Sequence, residues 1–170
     1  MTYRGLAYRA HDPRWAWSPL SGEGSVKFGG RFNRIGTPAL YLSLDLSTAI
    51  CEASQGFAGR FPPLTIVNYD VDSSPVIDLT LPNALADLGV DDAQIRSAWK
   101  RLAQEDQPVP TWDLADRLAA DGFAGAIVRS LAPGAMPSSR NLVLWTWSDS
   151  LPSRVTTFDP DGRLRPPLTK

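Results

Sequence analysis

Fifteen prolines are spread along these 170 residues, and they restrict the chain to short elements. Proline has no backbone N–H and its ring crowds the preceding turn, so it ends helices and is kept out of central strands. The apolar pattern between the prolines fits this restriction. Leu6 to Arg9 reads as a first strand, and a long loop runs from about His11 to Pro38. Ala39 to Ser43 is a strand with Leu40 and Leu42 on one face and Tyr41 and Ser43 on the other. A helix starts near Asp45 or Ser47, either of which can cap it. Leu46, Ala49, Ile50, Ala53 and Phe57 form its apolar stripe, Thr48, Glu52 and Gln55 its other side, and Gly56 and Gly59 end it. Leu64 to Val71 and Val76 to Leu79 are strands. Asp91 or Asp92 caps a helix with Ile95, Trp99 and Leu102 inward. Thr111 caps another, with Leu114, Ala115 and Leu118 inward, stopped by Gly122. Gly125 to Leu131 and Asn141 to Trp147 are apolar strands, and Val155 to Phe158 is an edge strand. Strands and helices mix without a regular alternation. The expectation is an α+β fold: one domain over residues 1–170, with a mixed central sheet flanked by helices.

Charge and rare residues narrow the function. The net charge is −1, so no global field draws the chain to nucleic acid or to an acidic membrane. No run of about 18 apolar residues occurs, and the start, Met1-Thr2-Tyr3-Arg4-Gly5-Leu6, has no apolar signal core. With Cys51 the single cysteine, a reducing cytoplasm is the expected location. His11 is the single histidine. A structural zinc site, a cysteine pair or a two-histidine ribonuclease site cannot be assembled, and no metal is expected. Any chemistry falls to carboxylates, arginines, tyrosines and hydroxyls.

Those groups concentrate in the long loop. Leu20 to Asn33 holds Gly22, Gly24, Gly29 and Gly30, with Lys27 and Arg31 as cations and Phe28 and Phe32 as flat apolar surface. Glycines let backbone N–H groups approach a ligand closely, and arginine suits two-pronged contact with phosphate. The glycine spacing matches neither a Walker nor a dinucleotide-binding fingerprint. Such a loop is either a surface turn or a site for an anion that carries rings, such as a nucleotide. Arg9 lies in a predicted strand and points either to solvent or into a cleft. Glu52 is either a solvated helix residue or, carried by the short turn after Tyr41 and Ser43, a group at the sheet edge. Pro137-Ser138-Ser139-Arg140-Asn141 is a second polar cluster before an apolar strand.

These pieces resemble the RES domain, the toxin half of RES–Xre toxin–antitoxin systems, and its ParT-like branch in particular. They are Tyr8-Arg9, then Leu20-Ser21-Gly22-Glu23-Gly24 leading into Phe28-Gly29-Gly30-Arg31-Phe32-Asn33. Gly36 to Ser43 follows, then Glu52, and then Pro137-Ser138 with Asn141-Leu142-Val143-Leu144. The resemblance implies a fold similar to ADP-ribosyltransferases, with NAD consumed as substrate. Cleavage of the nicotinamide–ribose bond would transfer ADP-ribose to an intracellular protein, phosphoribosyl pyrophosphate synthetase being one implied target. The alternative within the class is an NAD glycohydrolase or phosphorylase; outside it, a nucleotide-binding regulatory module without turnover. An Xre-like helix-turn-helix antitoxin would cover the site. The catalytic set is Glu52, Arg31 and Tyr41. The binding set is Arg9, Lys27, Gly30, Phe32, Asn33, Ser43, Thr48, Asn141 and either Ser138 or Ser139. The chemistry agrees with a chain so poor in histidine. Positive charge develops on the ribose, a carboxylate stabilises it, and nicotinamide leaves neutral without needing an acid.

Overall fold

The computed structural model describes residues 1–54 and 61–166. Seven strands form one sheet: β1 (Tyr3–His11), β2 (Leu40–Ser43), β3 (Thr65–Ser73), β4 (Val76–Asp78), β5 (Gly125–Arg129), β6 (Arg140–Leu144) and β7 (Ser153–Thr157), in the order β4-β5-β6-β2-β1-β3-β7. The β4–β5 pair is parallel and every other neighbouring pair is antiparallel. The helices are α1 (Glu23–Phe28), α2 (Leu46–Ala53), α3 (Ala84–Asp87), α4 (Asp92–Ile95), α5 (Trp99–Gln104) and α6 (Pro110–Ala120). This is the α+β, mixed-sheet class expected from the apolar pattern.

Both faces of the sheet are covered. Leu40, Leu42, Tyr69, Val71, Leu142 and Leu144 pack on one side, where Leu20 and Trp147 close over them. Tyr41, Ala126, Val128 and Val143 face the other side, against Ile95 of α4 and Leu114, Ala115 and Leu118 of α6. The alternation along β2 therefore separates two cores, as a period of two requires. The pairing of β1 matters most for function. It stays in register with β3 from Tyr3↔Ser73 to His11↔Thr65, but its one paired position with β2 among the described residues is Tyr8↔Ser43. Past Tyr8 the two central strands part, and an opening forms in the middle of the sheet.

Several local expectations change. The long loop contains α1, a six-residue helix with no buried side chain; Gly22 precedes it and Gly29 ends it at a φ of 66°. A helix without an apolar stripe leaves no periodic trace in sequence. The single helix expected from Asp91 through Leu102 is two, α4 and α5, separated at Arg96 to Ala98. Thr111 does not cap α6: Pro110 occupies the first helical position, where its missing N–H costs nothing, and Thr111 is buried. In α2, Ala49 is buried as expected, but Leu46 is 47 % exposed and Thr48 is buried instead. Gln55, Phe57, Gly56 and Gly59 lie outside the described residues.

The start of α2 is fixed by Asp45. Its Oδ1 accepts from the Thr48 N–H (2.7 Å) and its Oδ2 from the Thr48 hydroxyl (2.7 Å). Burial alone would raise this carboxyl, but the bonds donated by Ser47 and Thr48 hold it below its usual range. Asp45→Ala should therefore cost about 1 kcal/mol in urea unfolding at pH 7. A carboxylate held low stabilises the fold above its unfolded pKa and loses that effect on protonation. The difference between variant and parent should thus shrink as pH falls below 3.8.

Candidate functional site

The parting of β1 and β2 opens a cleft of about 230 Å³, walled by Tyr8 and Arg9 of β1, Tyr41 and Ser43 of β2, Ala49, Glu52 and Ala53 of α2, and Asn141 of β6. A second cleft of about 190 Å³ shares Tyr41, Glu52 and Asn141 and adds Arg31, Phe32, Trp99 and Leu131. Glu52 thus stands on the wall common to both, with Arg9 in one compartment and Arg31 in the other.

Neutral donors orient the Glu52 carboxylate. Its Oε1 accepts from Ser130 Oγ (2.7 Å) and from Asn141 Nδ2 (2.5 Å). Asn141 is itself fixed, because its Oδ1 accepts from Ser43 Oγ at 2.9 Å. The pairing Ser43↔Asn141 between β2 and β6 makes that bond a consequence of sheet register. The chain Ser43 to Asn141 to Glu52 fixes the acid's direction.

The two arginines differ. Arg31 is held by the protein: its Nη1 donates to the carbonyls of Ile95 (2.8 Å) and Ser97 (2.7 Å), in the break between α4 and α5. Burial lowers its pKa, and the nearby Glu52 charge opposes that shift. Arg9 is half-buried, and burial lowers its pKa too. Among the described residues it has no hydrogen-bond or ion-pair partner. A desolvated guanidinium without a counter-ion is costly and is positioned to receive an anion.

Tyr41 acts on the loop that carries Arg31. Its hydroxyl donates to Asn33 Oδ1 (2.8 Å) and accepts from the Phe32 N–H (2.9 Å). Burial raises its pKa far above the usual phenol, so it stays protonated. A Cβ at residue 30 would overlap the Tyr41 hydroxyl and Asn33 Oδ1, which is why Gly30 stands there. Asn33 is buried, with Nδ2 facing the carbonyls of Ser25, Arg34 and Thr37.

The structure therefore brings together Glu52, Arg31, Tyr41, Arg9, Phe32, Ser43 and Asn141 around the two compartments. Gly30 and Asn33 build the loop behind them. Four residues of the sequence-derived set lie elsewhere. Thr48 is engaged in capping α2. Lys27 is exposed on α1, which has no buried residue, its ammonium 5.2 Å from the Phe28 ring centroid. Ser138 is exposed. Ser139 is buried in the turn, its Oγ accepting from the Met136 N–H (3.1 Å) and its carbonyl from the Ser130 N–H (3.0 Å). The serine on Glu52 is Ser130, which sequence reading absorbed into the end of an apolar strand; a hydroxyl at that strand end was the available signal.

Behind Arg9 lies His11, its Nε2 2.7 Å from Tyr69 Oη, and the Tyr69 hydroxyl donates to the Pro19 carbonyl at 2.9 Å. Tyr69 has one proton to give, so His11 Nε2 carries the other. Burial foremost, then the Arg9 charge, pushes the His11 pKa down to about 4. A histidine kept neutral by the fold stabilises it fully above its ordinary pKa of 6.5 and progressively less as pH falls toward about 4. Melting temperature should fall between those two pH values, and the fall should be shallower in His11→Gln.

A family model described as the RES domain matches residues 6–166. Seven chains of solved structures match. Among them is a chain of the crystal structure of the M. tuberculosis MbcT–MbcA toxin–antitoxin complex, at 20 % identity and a TM-score of 0.66, over 94 % of this chain and 84 % of that one. At that identity the likeness concerns the fold, which is ADP-ribosyltransferase-like. No functionally curated protein matches.

Proposed function

The chain belongs to the RES-domain family, and from that premise we propose that it is the toxin of a toxin–antitoxin system, an NAD-dependent ADP-ribosyltransferase acting in the cytoplasm on an intracellular protein. The observation that carries this reading is Glu52, oriented by Ser130 and Asn141, on the wall between an Arg9 compartment and an Arg31 compartment. In this reading NAD is the substrate. Arg9, without a partner among the described residues, and the remaining N–H groups of Arg31 take its pyrophosphate oxygens. The reacting ribose lies over Glu52. As the bond from ribose C1 to the nicotinamide nitrogen lengthens, positive charge grows on the sugar and the carboxylate stabilises it. The electron pair leaves with nicotinamide, which is neutral, so no proton donor is needed. Phe32, Trp99 and Leu131 give the compartment apolar wall beside the carboxylate, which strengthens its effect. The acceptor's nucleophile then takes the ribose carbon. The antitoxin in this proposal is an Xre-like partner; the exposed Trp15 and Trp17 of the long loop suit a protein contact.

Incubation of the folded protein with NAD and cell proteins, followed by mass spectrometry, tests the reading. Nicotinamide and ADP-ribosylated protein are expected. Intact NAD would overturn it; free ADP-ribose or its 1″-phosphate without modified protein would replace transfer by NAD destruction. Glu52→Gln should lower nicotinamide release about 10²- to 10³-fold, the cost of losing about 3–4 kcal/mol of charge stabilisation. Arg9→Ala should weaken NAD about 10- to 100-fold in calorimetric titration, in line with bonds to a charged group. Its melting temperature should not fall, because no protein partner among the described residues is lost.

A further inference from the structure

Three elements that share no sequence proximity converge on the backbone around Arg31. Trp112, in the first turn of α6, donates from its indole Nε1 to the Gly30 carbonyl at 2.7 Å. Trp145, just after β6, donates from its Nε1 to the Phe32 carbonyl at 2.8 Å. These two carbonyls belong to the residues immediately before and after Arg31. The Arg31 guanidinium itself is tied to Ile95 and Ser97. A buried indole N–H usually finds an acceptor, so one such bond would say little. Two, from different elements, on the carbonyls of the residues either side of one cleft arginine hold its backbone before and after it. Further contacts strengthen the arrangement. Arg34 lies 5.5 Å from the Trp112 ring centroid and pairs with Asp113 and Asp116 on the same helix. The Gly30 N–H closes the turn onto the Asn33 carbonyl at 3.0 Å.

We propose that Trp112 and Trp145 are positioning residues for Arg31: their indole N–H groups hold the Gly30 and Phe32 carbonyls so that the guanidinium stays beside Glu52. Neither tryptophan need touch the substrate for this. The inference rests on the reading of the cleft as an NAD site, and it concerns how that site is kept in register. A side chain as long as arginine loses much freedom when it binds phosphate, and a fixed backbone on both sides removes part of that cost beforehand.

The test uses the full chain with Trp112→Phe and Trp145→Phe, which keep an aromatic ring and delete the N–H. Substitution of each tryptophan by the isosteric benzothienylalanine repeats the experiment if phenylalanine impairs folding. NAD affinity is read by calorimetry, and the Nε–Hε resonance of Arg31 by NMR of arginine-labelled protein, without ligand. Each variant should bind NAD about tenfold more weakly, the size of one lost hydrogen bond, and should shift or broaden the Arg31 resonance. In an Arg31→Gln background the same tryptophan changes should cause no further loss, because groups that act through one another are not additive. Unchanged affinity with an unchanged resonance would overturn the proposal. So would an equal further loss in the Arg31→Gln background, which would assign the tryptophans to general packing. If the parent binds no NAD, the proposed function fails. The Arg31 resonance then decides the positioning role by itself: perturbed in the variants it supports the role, unperturbed it overturns it.

Discussion

The parting of two neighbouring strands is the constraint on which the site depends. β1 holds its register with β3 along its full length, while β2 holds its register with β6. At Tyr8↔Ser43 the two sets meet, and this is the one paired position between β1 and β2 among the described residues. A sheet interior normally has no room for a polar ligand. Here the parting exposes side chains from two strands to one cavity, and α2, which packs across the same place, lowers Glu52 into it. The carboxylate accepts hydrogen bonds from Ser130 and Asn141, which orient it. A carboxylate oriented in a partly apolar cleft can answer positive charge that develops on a substrate.

Support for the site extends well beyond its walls. The Arg31 segment is fastened to β2 through Tyr41, to α6 and β6 through indole groups, and to its own turn through Asn33. Arg9 is supported differently. The His11–Tyr69–Pro19 chain behind it ties the long loop to β1 and β3 with uncharged groups. One arginine is therefore fixed by protein carbonyls and the other is left without a partner among the described residues.

The fold class was legible because strand alternation and helical stripes survive in sequence wherever an element buries one face. The alternation of Leu40 and Leu42 against Tyr41 and the Asp45 cap are both present in the structure. Elements without such a face were not legible: α1 buries nothing and α3 is four residues long, while α4 and α5 were legible as one helix and not as two. For the site, the loop motif led to Arg31, Phe32 and Tyr41, and the helical phase of Glu52 placed it off the apolar stripe. The role of Tyr41 as a fastener of the loop was not legible, because it depends on how the loop folds back to bring Asn33 and Phe32 to its hydroxyl. Ser130 was missed because its partner is 78 residues away in sequence. Nothing in the spacing of Trp112 and Trp145 reveals the bonds that their N–H groups make.

The central claim is that one glutamate faces the carbon from which nicotinamide departs. The most direct measurement is a crystal structure with a non-hydrolysable NAD analogue. The account predicts the Glu52 carboxylate in contact with the reacting ribose, with the pyrophosphate oxygens on Arg9 and Arg31. A dinucleotide bound with its nicotinamide ribose away from Glu52 would contradict it.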